Sequence, residues 1–548
     1  MKNLIVLYVV FSMSVLSMLF PSSSSAAENV ELHNGITIDN RTMLPMREIF
    51  EQLGATVNWD QSTQTITAKQ EGVVVELQIG SKDVLVNGES IEVDVPPLLL
   101  HSRTRVPVRF VSETLGADVS WDGEKRVVQI SKEELNLTVH VNATKQGNKL
   151  IIHFSDPHLE DMIKNQLFGP AGSFDSMGVY TPNPHTGHSG PITQEHLKGL
   201  TGFSIDSISI SDISGLQYAE NLESLYLDSS SVNGLSVITE IKGLSDLSLN
   251  NEYIDDYSLL EDIKNLEQLK IVGGKLHQVD MLSEALKESQ NLRVLTLSNL
   301  GITEINSLSA LGNVKSIENL YLSGNAIKDI SVLEELNSLK HLELFNNQID
   351  DISPLKNLTN LETLSLDSNK ISNIDNLRGL TKLESLDLAS NNIQVIDALR
   401  NLGRLKELGI SNNEINNIEP LSGMRQLTRL NISDNQIGDI SAVSGMTELF
   451  RLNLSNNQLR DLSPIRGLSN LNTLYFSNNQ ISDISPLSQL YSIQILGMSK
   501  NEVGDLRALL GLPHLAEVNV QDNPIIDESI IPKIEENVSR FVGGFLVY

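Results

Sequence analysis

From about residue 319 to 526, apolar and polar positions recur every 22 residues. Each unit opens on a short alternation, as in NLYLS (Asn319–Ser323) or RLNLS (Arg451–Ser455), which predicts a brief strand with one face buried. The remainder spaces its apolar residues by three, as at Ile349, Ile352, Leu355, Leu358 and Leu361. That spacing fits a 3₁₀-like return, because side chains at i and i+3 eclipse in such a helix. Strand and return leave no room for a full α-helix. One asparagine marks every unit: Asn325, Asn347, Asn369, Asn391, Asn413, Asn435, Asn457, Asn479, Asn501 and Asn523. Its amide both donates and accepts, so the column is expected to satisfy turn backbone groups in its own and neighbouring units, a structural ladder and not a ligand site.

One unit cannot fold alone. About seven apolar side chains at roughly 2 kcal/mol each do not offset 22 residues at about 1–2 kcal/mol of backbone entropy apiece. Stacking buries the faces between units, so the array is the stable object. Upstream the pattern loosens: Ile208, Ser230, Glu252, Gly274 and Leu300 stand where asparagine is expected, and the last four lead to Asn325 through spacings of 22, 22, 26 and 25. Fifteen units result, ten of them regular, which at about 4.8 Å per strand stack over roughly 70 Å.

A period of this length centred on L-x-L-x-x-N is that of a leucine-rich repeat. The D-I-S-P-L element (Asp351–Leu355, Asp483–Leu487, and Asp461–Ile465 as D-L-S-P-I) resembles the internalin-type bacterial class. DPHLEDMIKNQLFG (Asp156–Gly169) and PITQEHLKGLTGF (Pro191–Phe203) resemble that family's helical N-terminal cap. The resemblance implies an α/β solenoid with parallel strands on the concave side and 3₁₀ or short helices on the convex side. A small α+β domain is expected before it.

In that first domain RTMLPMREIFEQLGATVNWD (Arg41–Asp60) returns as RTRVPVRFVSETLGADVSWD (Arg103–Asp122), 62 residues on. Met46–Leu53 and Val108–Leu115 read as short helices closed by Gly54 and Gly116, at the position after a helix that favours glycine. The runs that follow, TQTITA and KRVVQI, alternate as strands. With V-x-V-N-G-x-x-I (Val84–Ile91), this pattern resembles the N-terminal stalk domain of copper amine oxidases. The resemblance concerns the non-catalytic stalk and implies a secreted protein of Gram-positive type. Arg47, Arg109, Trp59 and Trp121 are expected to be packing and ion-pair positions.

The expected organisation is a signal peptide over 1–27, the stalk-like domain over 28–131, a β-hairpin linker over 132–155, a helical cap over 156–203, repeats over 204–526 and a C-terminal cap over 527–548. The signal peptide is read from Lys2, the apolar run Leu4–Phe20 and the small residues Ser25 and Ala27. No later segment reads as membrane-spanning. The chain has no cysteine, which excludes disulfides and lipoprotein attachment. Its net charge of −29 argues against nucleic-acid partners.

No catalytic residue, cofactor or metal ligand is expected. P-loop, G-x-S-x-G and H-E-x-x-H patterns are missing. His185 and His188, in a Gly- and Pro-rich loop over 169–191, lack acidic or thiol companions at ligand spacing. The column Asp329, Asp351, Asp439, Asp461, Asp483, Asp505 suits turns and short-helix caps better than calcium.

Function therefore falls to the outward columns of the strands. Tyr321, His341, Glu343, Phe345, Asp387, Glu407, Arg429, Arg451 and Tyr475 are the candidate ligand contacts, led by aromatic and arginine types that dominate binding hot spots. The expected role is that of a secreted or cell-surface, non-catalytic protein that binds an unidentified protein ligand. The alternative is a structural cell-envelope or wall-carbohydrate-binding component attached through the stalk domain, with a cell-wall polymer as its partner.

Overall fold

The computed structural model describes residues 28–543 apart from 101–102, 170–172, 175–179, 182–189, 206–209, 229–231, 233, 255–256, 277–278 and 304–311. The expected signal peptide, His185 and His188, and the ladder positions Ile208 and Ser230 lie outside the described residues. Two compact units share the described residues, one built mainly on residues 28–157 and one on most of 158–543.

In the first unit, both copies of the internal repeat fold as strand, helix, strand: Arg41–Pro45, Met46–Gln52, Thr56–Asp60, and Arg103–Pro107, Val108–Thr114, Asp118–Asp122. The first strands of the two copies pair antiparallel, with Met43 opposite Pro107 and Pro45 opposite Arg105. Given the 62-residue offset, that register is a local two-fold relation between the copies. Each helix ends as the glycines predict. Gly54 and Gly116 take φ of 84° and 81°. Ala55 N–H reaches Phe50 O at 2.8 Å and Ala117 N–H reaches Ser112 O at 2.9 Å, closing Schellman turns.

The copies then diverge. Thr56–Asp60 enters a five-stranded antiparallel meander, whereas Asp118–Asp122 edges an eight-stranded sheet. One core joins them through Phe50, Ile66, Leu77, Val106, Val111, Ile130 and Leu137. The expected linker hairpin is an integral part of that sheet. Leu135–Gln146 lies between Val127–Lys132 and the opening strand Glu28–Ile38, running parallel to the latter, and Lys149–Ile152 pairs back onto it.

The second unit is a solenoid with one parallel sheet of sixteen strands, from Gly202–Ser204 to Arg540–Val542. Fifteen match the units counted in the sequence. The last comes from the C-terminal segment, which caps the array by adding a strand at its open edge. Short 3₁₀ helices return along the other side, such as Ser353–Asn357, Asp375–Gly379 and Ser485–Gln489. Leu342, Leu364, Leu386, Leu408 and Leu430 form one buried column, Ile349, Ile371, Ile393 and Ile415 another.

The asparagine ladder supplies the polar half of this core. Asn391 Nδ2 donates to Leu366 O in the preceding repeat at 3.0 Å and to Leu388 O and Ala389 O in its own at 3.1 Å. Its Oδ1 accepts from Ile371 N–H at 2.9 Å. The same set recurs at Asn369, Asn413 and Asn457. The residue before each ladder asparagine from Asn347 on is left-handed, with φ between 53° and 57° from Asn346 to Asp522. Asparagine and aspartate tolerate that conformation, which explains doublets such as Asn412–Asn413: the first turns the chain and the second bonds it.

Asn391→Ala is expected to lower unfolding free energy by at least about 1–3 kcal/mol, because buried backbone groups lose their partner. The exposed neighbour Asn392, replaced by alanine, should leave the urea midpoint unchanged. Equal shifts in both variants would refute the ladder account.

Candidate functional site

Strand pairing puts the outward residues in straight columns across the sheet. Asn319, His341, Thr363, Ser385, Glu407, Arg429, Arg451 and Thr473 follow one another in register. So do Tyr321, Glu343, Ser365, Asp387, Gly409, Asn431, Asn453 and Tyr475. The columns match those read from the sequence, but outward position does not guarantee exposure: Thr473, Ser323 and Ser433 are buried.

Five of the nine candidate residues, Asp387, Glu407, Arg429, Arg451 and Tyr475, line one shallow hollow of about 350 Å³. Glycines make room in it. A Cβ on Gly409 would sit 2.6 Å from Asp387 Oδ1, and one on Gly497 would sit 2.5 Å from Tyr475 Cδ1. Each side chain thus leans over the glycine of the next repeat. Arg429 Nη1 lies 2.8 Å from Glu407 Oε1 in a half-exposed ion pair. Arg451 is exposed and has no ion pair among the described residues. Phe450, 47% exposed, precedes it at the position where other repeats carry Glu318, Lys340, Glu384 and Lys406. Those charged residues pair along the rim, Lys340 with Glu318 at 2.7 Å and Lys406 with Glu384 at 2.6 Å. The break in that polar column was the signal for Phe450, and the sequence reading passed over it.

Tyr321, His341, Glu343 and Phe345 lie two to three strands away from the hollow, and among them Phe345 is 37% exposed. Between the two groups the face is acidic. Burial pushes the Glu343 carboxyl above its ordinary range, and the charge of Asp367 adds to the shift. Burial likewise raises Asp387, partly opposed by a hydrogen bond from Ala389 N–H at 3.0 Å, with Asp367 again adding to it. Burial first and Glu343 second raise the Tyr321 hydroxyl. The surface thus carries acidic groups held partly out of water on one side and arginine with aromatic rings on the other.

On the convex side the aspartate column caps turns. Asp351 Oδ1 accepts from Ser353 N–H and Asp483 Oδ1 from Ser485 N–H, each at 2.8 Å. In the first unit Arg47 and Arg109 make helical ion pairs with Glu51 and Glu113 at 3.4 and 3.8 Å. Trp59 and Trp121 do not pack inward; they are 38% and 47% exposed, since both sit on largely solvated strands. Trp121 borders a groove of about 550 Å³ with Arg41, Asp94, Arg109 and Phe110.

Known proteins match both parts of the chain. A family model described as the copper amine oxidase N-terminal domain covers residues 27–130, and one described as a leucine-rich repeat region covers residues 276–541. The chain carries a leucine-rich repeat region and an amine oxidase-type N-terminal domain, and it resembles internalins. A crystal structure of an internalin from Listeria monocytogenes is 29% identical with TM-score 0.50, over 67% of this chain and 95% of that one. A leucine-rich-repeat protein of Leptospira interrogans, 22% identical with TM-score 0.56 over 64% of this chain and 97% of that one, shares the fold. The functional domain of InlJ from Listeria monocytogenes, 20% identical with TM-score 0.51 over 63% and 73%, includes a cysteine ladder. This internalin-like chain, without cysteine, has asparagine in its ladder. A primary amine oxidase of Klebsiella aerogenes is 30% identical over 86 residues, 15% of this chain and 11% of the enzyme. The chain thus spans about a ninth of that relative's length. Among the described residues no helix is long and apolar enough to cross a membrane.

Asp387→Asn should keep the hydrogen bond to Ala389 N–H, because Asn431 and Asn453 make the same bond to Ser433 and Ser455. The folded protein holds the Asp387 proton at higher pH than the unfolded chain does, so this carboxylate lowers stability as pH rises above its ordinary value of 3.8. The variant is expected to melt higher than the parent at pH 7 and alike below pH 3.8. A variant that melts lower at pH 7 would contradict the burial argument.

Proposed function

We propose that this is a secreted or cell-surface recognition protein that grips another protein with the concave face of its solenoid, without catalysis. The observation that carries the reading is the hollow between Asp387 and Tyr475, where an unpaired arginine, an exposed tyrosine and the neighbouring Phe450 meet a partly dehydrated acidic strip. Aromatic and arginine side chains are the types that supply binding energy at protein interfaces. The fitting partner presents carboxylates towards Arg429 and Arg451, and a basic or hydrogen-bond-donating segment towards Glu343 and Asp387. Each turn is tied by hydrogen bonds, so the surface is ordered before binding and little conformational entropy is lost on contact. The internalin-like repeats and the apolar Leu4–Phe20 run support an extracellular place.

A second reading rests on the groove beside Trp121: the first unit attaches the chain to a cell-wall polymer through an exposed indole and Arg109. An indole face flanked by polar groups suits a sugar ring.

Affinity capture from cell-surface and secreted extracts tests both. Arg429→Glu/Arg451→Glu should lose the captured protein, with affinity down about 30-fold or more if either arginine is a hot spot worth about 2 kcal/mol. Undiminished capture by that variant would sink the concave-face reading. Cosedimentation with purified walls, abolished by Trp121→Ala, would favour attachment through the first unit.

A further inference from the structure

In the large sheet of the first unit, Glu28–Ile38 and Leu135–Gln146 run side by side and parallel. Alternation places Glu31 and His33 on one face of the first strand. His140, on the second, lies between Val139 and Val141, which point into the core. The register passes from Leu32 opposite Val139 to Gly35 opposite Val141, so the first strand holds one extra residue. This bulge brings His33 level with His140. Their rings stack with centroids 4.4 Å apart and planes at 8°. Glycine is needed beyond the bulge, because a Cβ on Gly35 would meet His140 O at 2.8 Å.

Both imidazoles turn Nε2 towards the same oxygen. His33 Nε2 is 3.4 Å and His140 Nε2 3.6 Å from Glu31 Oε2. The three donor atoms all lie within 4.8 Å of one another. His140 Nε2 is buried and has no hydrogen-bond partner, a costly state for a polar nitrogen. Both spacings exceed a good N–H···O bond, and the 3.4 Å between His33 Nε2 and Glu31 Oε2 is that of two ligands about 2.0–2.1 Å from a tetrahedral zinc, which stand about 3.3–3.4 Å apart. The stacked rings must turn out of parallel for both Nε2 lone pairs to meet one ion. Ser214, which clusters with this unit, places Oγ 2.8 Å from His33 Nδ1. Such outer support orients a ligating imidazole. Glu31 is exposed enough for water to complete the shell.

We propose that Glu31, His33 and His140 bind a divalent transition cation of the zinc class. Two imidazoles with one carboxylate select zinc, cobalt, nickel or copper over calcium and magnesium, which require oxygen-rich shells. Bound there, the ion ties together two neighbouring strands that lie more than a hundred residues apart in the chain. No catalytic step is assigned to it.

Titration calorimetry of untagged, chelator-stripped protein with zinc chloride should show one saturable site per chain. Zinc should raise the melting temperature, and equal magnesium or calcium should not. His140→Ala and Glu31→Gln are each expected to weaken zinc at least tenfold while melting like the parent without metal. His185→Ala/His188→Ala should bind zinc as the parent does. Cobalt(II) gives an independent readout: visible absorption of a low-symmetry site in the parent, lost in His140→Ala. The proposal is overturned if the parent shows no saturable zinc site, or if His140→Ala retains the affinity and the cobalt spectrum. Zinc binding lost only in the His185/His188 variant would overturn it equally.

Discussion

Every turn of the ten regular repeats buries backbone groups that its own repeat cannot pair, and the ladder asparagine is what satisfies them. Each amide bonds carbonyls in two consecutive repeats and accepts an N–H from the preceding one, so no repeat is complete without its neighbour. This makes the array cooperative, in line with the poor balance of burial against entropy for a single unit. It also fixes the strand register and hence the columns of the concave face. In the looser early repeats other groups take over. Asn250 Nδ2 donates to Asp228 O at 2.7 Å, and Asn251 Nδ2 to Lys275 O at 2.8 Å.

A regular scaffold makes its irregular positions informative. Where a column is constant, as with the inward leucines, the residue serves stacking. Where it breaks, as at Gly409, Phe450 and Gly497, something else is accommodated. The glycines are gaps into which Asp387 and Tyr475 lean, so the relief of the hollow depends on the repeat that follows each side chain as much as on the side chain itself. Electrostatics follows the same geometry: strands about 4.8 Å apart bring like charges into adjacent rows, so the charge of Asp367 adds to the upward shifts that burial gives Glu343 and Asp387.

The first unit applies duplication differently. Two copies of one strand–helix–strand element pair through a local two-fold relation and then send their last strands into different sheets. The tryptophans occupy equivalent places in sequence yet belong to different sheets, and both remain partly in solvent. The strand Leu135–Gln146, expected in a linker, completes the larger sheet and carries one of the stacked histidines.

By itself the sequence determined the repeat, its 22-residue period, the ladder and the 3₁₀ returns, because each depends on contacts within one unit or with an identical neighbour. The outward columns were legible for the same reason, since a fixed period fixes register. Tertiary structure decided what a period cannot carry: that Arg429 is tied to Glu407 while Arg451 makes no ion pair among the described residues, that Thr473 is buried, and that Phe450 flanks the hollow. It also decided the meeting of Glu31, His33 and His140. Those residues come from strands distant in sequence, and a one-residue bulge sets their alignment, so no local spacing announces it.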